Sequence, residues 1–370
     1  MFGIEGSEHW DADDLGALSA ALAGTGSEGK LLPFLSRALD EHSADHGMLR
    51  LLRGASPSEA MARTQAVLRE SPKDPWALRF LGEMKRDAGD AAGAFDAFRA
   101  SALASPSRST FRELVKLDPA RGLDFVLAQT KDALDDEMIG AQGETYLLAG
   151  RKEEAVAAYL RAHEHDPNDG EWIAQLTALD PAAAVGALER RIGPATETAG
   201  SRLLGRYARA LEAAGRKDDA YTEFLAALRK DPDNDEWQRS IARIDPRAAI
   251  PVLEAQVRDH PVDASGHGAL GLALAAAGRR ADALPELDHA LAQGDAKRWY
   301  AALAELDAER ALDGLRRRAA AGGDGASVWT LLGRELAKRG LRAEARSAYE
   351  SAAEIDPSDG DIARALRELR

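Results

Sequence analysis

The stretch HDPNDGEW, residues 165–172, decides how this sequence is to be read. Asp166, Asn168 and Asp169 lie just ahead of a glycine, which is how a calcium loop begins. A near copy, KDPDNDEW at residues 230–237, follows 65 residues later. The metal reading fails on spacing. A calcium loop turns on glycine at its sixth position and closes with glutamate at its twelfth. Counted from Asp166, glycine comes fifth and the twelfth residue is Thr177; in the second copy Asp235 stands in the glycine's place.

As a boundary between helices, the same residues all find a use. The residue before a proline is pushed out of helical conformation, so Asp166-Pro167 and Asp231-Pro232 end a helix. Asn168 with Glu171, and Asp233 with Glu236, have the spacing of an N-cap and its reciprocal glutamate at the next helix.

Aligning the two junctions exposes a longer pattern. Gly26, Gly89, Gly150, Gly215, Gly278 and Gly340 are spaced 63, 61, 65, 63 and 62 residues apart. Five residues after each stands Leu31, Ala94, Ala155, Ala220, Ala283 or Ala345. Four further on comes a large residue: Leu35, Phe98, Tyr159, Phe224, Leu287 or Tyr349. Ahead of the turns stand small residues, Gly82, Gly143, Ala208, Gly271 and Gly333, where two helices can approach closely. The turn glycines are suited to positive φ just past a first helix. WTLLGRELAKRGLRAEARSAYESAAEIDP, residues 329–357, is the fullest copy.

This pattern resembles the tetratricopeptide repeat, a helix–turn–helix of about 34 residues. The resemblance covers just over half the chain. The segments between copies are themselves repetitive, led by Phe111, Trp172, Trp237 and Trp299, each a short helix, a break and a longer helix. Asp118, Asp180 and Asp245 are set to cap the longer helix, with Pro119, Pro181 and Pro246 in its first position. What the resemblance implies is an all-α, right-handed α-solenoid of helix–turn–helix repeats, about 11 hairpins plus a capping helix. Residues 1–11 form a leader and 12–370 one superhelical domain. Long hairpins are expected at about 12–45, 75–108, 136–169, 201–234, 264–297 and 326–359, short ones between them, and the cap at 361–370. On this reading the chain is complete, with no catalytic domain appended.

Composition narrows the function. Net charge is −14, and the densest basic run is Arg316–Arg318, so a nucleic acid is not the expected partner. Cysteine is absent, which excludes disulfides and thiolate chemistry. No apolar run approaches the ~20 residues that span a bilayer, and the N-terminus lacks a signal-peptide pattern, which favours the cytoplasm. Thirty-eight arginines against ten lysines suggest a GC-rich bacterial source. No phosphate loop, zinc-protease motif or nucleophile triad is present, so neither enzyme activity nor a cofactor is expected.

Candidate contacts follow from the resemblance. Tetratricopeptide arrays line their concave side with first helices, and here that side would carry Arg79, Glu83, Arg86, Glu144, Arg202, Arg209, Glu212, Arg334 and Lys338, with Trp76 near its rim. The lysine–asparagine clamp with which some members grip a C-terminal carboxylate is missing. The expected partner is a protein or peptide, basic or of mixed charge, held by a scaffold or adaptor; an accessory chaperone is the alternative. A remote alternative, a metal-dependent hydrolase, would centre on His42 and His46, one helical turn apart but without a third ligand. His42 and His46, and likewise His163 and His165, are expected to be exposed or capping. The periodic tryptophans are expected in the core. Gly16, Gly140, Gly205 and Gly268 recur at one inner position despite costing roughly 1 kcal/mol each in helix propensity. A short hairpin or an extended partner crowds against them, and geometry favours the hairpin.

Overall fold

A computed structural model describes residues 32–41, 45–133, 135–193, 198–322 and 325–369. The leader, Gly16, Gly26, Leu31 and His42 lie outside the described residues. Among the described residues there are 22 α-helices and no strand. By its internal contacts the chain divides into two units, Met1–Asp180 and Pro181–Arg370.

The first unit contains α1 (Leu32–Glu41), α2 (His46–Ala55), α3 (Pro57–Glu70), α4 (Pro75–Asp87), α5 (Ala91–Ala104), α6 (Arg108–Leu117), α7 (Pro119–Thr130), α8 (Asp136–Leu148), α9 (Lys152–His165) and α10 (Glu171–Leu179). The second contains α11 (Pro181–Ile192), α12 (Ser201–Ala213), α13 (Lys217–Lys230), α14 (Asp235–Ile244), α15 (Pro246–Asp259), α16 (Ala264–Ala276), α17 (Arg280–Gln293), α18 (Ala296–Leu306), α19 (Ala308–Ala320), α20 (Ala326–Lys338), α21 (Arg342–Ile355) and α22 (Gly360–Glu368). Each unit is a stretch of α-solenoid in which successive helices pack as antiparallel hairpins.

The turns inside the long hairpins are alike because their glycines are. Gly89, Gly150, Gly215, Gly278 and Gly340 all have φ between 75 and 83°. After Gly150, the Arg151 amide donates to the Tyr146 carbonyl at 2.8 Å, while Gly150 itself donates to Leu147. Arg216 to Leu211 and Arg279 to Leu274 repeat that bond at 2.8 Å. Such paired bonds satisfy carbonyls that a helix end would otherwise leave open.

Aspartates start the following helices. The carboxylates of Asp118 and Asp245 accept from the amides of Arg121 and Ala248, with Pro119 and Pro246 in the first turn. The two junctions first singled out cap differently from expectation. In the first, Asp166 accepts from the amides of Asn168 and Asp169, then Asp169 accepts from Glu171 at 2.7 Å. Asp169, one residue beyond Asn168, is thus the side chain that meets the start of α10. In the second, Asn234 rather than Asp233 caps α14, accepting from Glu236 and Trp237.

Inside each long hairpin, a large residue of the second helix lies on a small residue of the first. A Cβ added to Gly143 would come within 2.6 Å of the Tyr159 ring, and one on Gly271 within 2.7 Å of Leu287. Tyr159 also stacks on Trp172, with ring centroids 6.1 Å apart, so one side chain joins its own hairpin to the next. Burial pushes the Tyr159 hydroxyl up to about 12. At the C-terminal end, Asp359 caps α22 and Ile362 is buried against Tyr349 and Ala352.

Candidate interaction surface

The periodic tryptophans are not available to a ligand. Trp172, Trp237 and Trp299 are buried, each lying across a glycine of the preceding long hairpin's first helix. A Cβ on Gly140, Gly205 or Gly268 would overlap the six-membered ring of Trp172, Trp237 or Trp299 respectively. So it is the short hairpin that crowds this position. The sequence compensates where the large partner is smaller: Arg79 stands 32 residues before Phe111, and Thr330 stands 32 before Ile362. The indole nitrogen of Trp172 donates to Asp136 at 2.8 Å, which satisfies its one polar atom.

With the aromatics buried, the first helices present charge. In the first unit those charges pair from helix to helix. Glu83 accepts from Arg53 of α2 at 2.9 Å and lies 3.4 Å from Arg79. Arg79 donates to Ser109 of α6 at 2.8 Å, while Arg86 pairs with Glu113 of α6 and with its neighbour Asp87. Glu144 receives both Arg108 and Arg112 of α6. Arg108 also reaches Glu171 of α10 at 2.5 Å, passing over the Trp172 ring with 4.8 Å to its centroid. Burial pulls on the Arg108 guanidinium, but the hydrogen bonds to Glu171 and Glu144 outweigh it and hold its pKa above the usual range.

The second unit is laced in the same way, with arginine on either side of the pair. Arg209 pairs with Glu236 of α14 and lies over Trp237, and Glu212 pairs with Arg243. The hydrogen bond from Arg243 holds the Glu212 carboxyl below the usual range. Asp235 of α14 takes both Arg239, at 2.8 Å, and Arg298 of α18, at 3.3 Å. Lys338 pairs only with Glu335, one turn away on its own helix, at 2.7 Å. Arg202 and Arg334 have no carboxylate partner among the described residues. Most of the predicted contact residues are thus joined to partners that the sequence reading left out: Arg53, Arg108, Arg112, Glu113, Glu236 and Arg243. The signal was available, as opposite charges 27 to 36 residues apart in one register. The exposed pairs among them, such as Arg209 with Glu236, contribute about 0–1 kcal/mol each, so they orient side chains more than they stabilise the fold.

Trp76 is held in a stack of its own. His46 lies flat on it, centroids 3.7 Å apart and planes within 6°, and Phe80 stacks on it with centroids 4.8 Å apart. One expectation of exposure is corrected: His163 is buried in α9. Arg318, in the densest basic run, is buried as well, its guanidinium donating to the Leu291 and Gly294 carbonyls at the end of α17, at 2.6 and 2.5 Å. Among the described residues no three His, Asp or Glu side chains converge as a metal site, and no helix is long and apolar enough to cross a membrane. A cavity of about 390 Å³ opens between α15, α16 and α17, lined by Glu254, Arg258, Leu274, Arg279, Asp282 and Glu286.

Two family models described as tetratricopeptide repeat match the chain, at residues 242–298 and 326–359. The chain contains tetratricopeptide repeats. The tetratricopeptide segments matched include α16 with α17 and α20 with α21, the hairpins that carry the Gly271–Leu287 and Gly333–Tyr349 contacts. Among curated proteins none matches. Solved structures similar to the chain include one of Naa15/Naa10 bound to HypK-THB, with 15% identity and a TM-score of 0.39 over 97% of this chain. The chain spans 65% of that protein's length. The C-terminal part of a repeat protein from Cytophaga hutchinsonii is 13% identical, with a TM-score of 0.31 over 86% of this chain and 98% of its own. A tetratricopeptide repeat protein from Parabacteroides merdae is 11% identical, with a TM-score of 0.31 over 80% of this chain and 98% of its own. Repeats of this family support a protein-interaction scaffold in general terms.

Proposed function

We propose that this chain is a non-enzymatic scaffold or adaptor that binds a protein or peptide segment on the face built by its first helices. One observation carries the reading. Core positions repeat from hairpin to hairpin, whereas one register position, half-buried at Glu83 and Glu144 and exposed at Arg209, Leu272 and Arg334, changes its chemistry from repeat to repeat. A packed core needs the same chemistry at every repeat; recognition of a non-repetitive segment needs different chemistry. The preformed helices present these side chains without refolding, which keeps the ordering cost of binding low.

The test is a photo-crosslinkable benzoylphenylalanine placed either at Leu272, on a first helix, or at Thr222, exposed on the second helix α13. In extract from the source cells, position 272 is expected to capture a discrete partner and position 222 not to. Capture at 222 with none at 272, both proteins being folded, would move the binding face and end this reading.

A further inference from the structure

The second unit's first-helix face is basic on a protein whose net charge is −14. Helices α12, α14, α16, α18 and α20 carry nine Arg and Lys against five Asp and Glu. The corresponding helices of the first unit, α2, α4, α6, α8 and α10, carry eight against seven. The excess is visible in the pairing. Arg239 and Arg298 share the single carboxylate of Asp235. Arg202, Lys297 and Arg334 are paired with no carboxylate among the described residues.

At the middle of this face, α16 bears no Asp, Glu, Lys or Arg at all. Its exposed side presents Leu272, 36% exposed. The Asp235–Arg298 pair joins α14 to α18, the helices on either side of α16, at 3.3 Å. An apolar spot is therefore bordered by arginines that are only half neutralised.

We propose that this face takes an acidic peptide segment, with carboxylates meeting Arg202, Lys297, Arg298 and Arg334 and one apolar side chain resting on Leu272. The proposal rests on the scaffold reading above and assigns its partner's chemistry. Five helices at 8–10 Å spacing span about 40 Å, which an extended chain covers in about 12 residues. Complementary charge of this kind speeds encounter and loses strength with salt.

The experiment uses the full chain and two fluorescein-labelled peptides of about 12 residues, each with a central leucine. One alternates glutamate with serine, and the other has lysine for every glutamate. Anisotropy titrations are run at about 50 and about 500 mM salt, where screening lengths differ severalfold. The acidic peptide is expected to bind and the basic one not, with affinity falling in high salt. Lys297→Glu with Arg334→Glu breaks no ion pair and is expected to weaken binding about tenfold or more, as is Leu272→Asp. Arg229→Glu with Arg247→Glu, the same charge change on second helices, is expected to leave it within about twofold. Circular dichroism of each variant confirms folding. Absence of acidic-peptide binding, or equal loss in both double variants, overturns the proposal. Binding of the basic peptide that responds to the first-helix variants overturns the acidic assignment and leaves the scaffold reading standing. A single-stranded oligonucleotide bound more tightly, with the same variant response, overturns it in favour of nucleic acid.

Discussion

Trp299 lies directly across the backbone of Gly268, so that a Cβ there would overlap the indole. The same contact joins Gly140 to Trp172 and Gly205 to Trp237. Neighbouring hairpins are fitted together by a missing side chain on one and the largest side chain on the other. Gly205→Ala and Gly268→Ala are therefore expected to destabilise despite the better helix propensity of alanine. Overpacking of this kind costs about 1–3 kcal/mol. Combining Gly268→Ala with Trp299→Phe should recover part of the loss, as the Arg79–Phe111 pairing suggests. The check is a double-mutant cycle by thermal unfolding; strict additivity would mean that the two sites do not touch.

Gly215 presents the opposite case. Its φ is +81° and a Cβ there would meet nothing within 4 Å, so strain alone opposes substitution. Gly215→Ala should cost about 1 kcal/mol, and Gly215→Val more, because a β-branched residue fits positive φ worst. Denaturant unfolding of the two variants gives the ranking. A valine variant as stable as its parent would contradict the turn.

Arg108 is the hub of the first unit's ladder, with 17% of its side chain exposed and carboxylates of Glu144 and Glu171 against it. Arg108→Leu keeps packing on Trp172 and removes the charge, leaving Glu144 with Arg112 alone. The expected loss is about 1–3 kcal/mol, below that of a fully buried pair because part of the cluster is wet. Arg112→Leu, at a more exposed site, should cost less than about 1 kcal/mol. Chemical denaturation distinguishes them, and equal effects would show that the hub is no more than a surface pair.

Acid should weaken the second unit through His289. Burial lowers the pKa of this ring, His267 stacked at 3.9 Å lowers it further, and Glu286 partly opposes both. Its folded pKa therefore lies below its unfolded one. Above about pH 6.5 both states are neutral and the residue is without effect. As pH falls below that value the unfolded state takes up the proton first, so stability drops until the folded pKa is reached. His289→Gln should flatten the loss of melting temperature between pH 7 and pH 5. An unchanged slope would show that the ring titrates alike in both states.

Turn and core positions were legible in the sequence because they answer to local rules. Gly89 through Gly340 had to follow a helix at positive φ, and each small residue before the turn had a large one to receive. The glycine–tryptophan contact was half legible: the recurring glycines signalled crowding, but choosing the crowding group needed the fold. Caps were misplaced by one residue in both junctions, Asp169 and Asn234 accepting where Asn168 and Asp233 were expected, because neighbouring Asp and Asn side chains offer the same acceptor. The charged residues of the face were placed on the right helices but read as free. Pairs such as Arg53 with Glu83 bring together residues 30 positions apart, a distance at which neither residue's immediate neighbours signal the contact.

The change of sign at one register position bears on how such a chain can lengthen in the course of descent. In the first unit the long-hairpin position carries Glu83 and Glu144, while in the second Arg209 occupies it and meets Glu236. A duplicate of α8 and α9 inserted ahead of α14 would set the equivalent of Glu144 against Glu236, acid on acid. A lineage that adds hairpins by copying its own gene therefore either copies a hairpin of matching sign at this position or changes the sign afterwards.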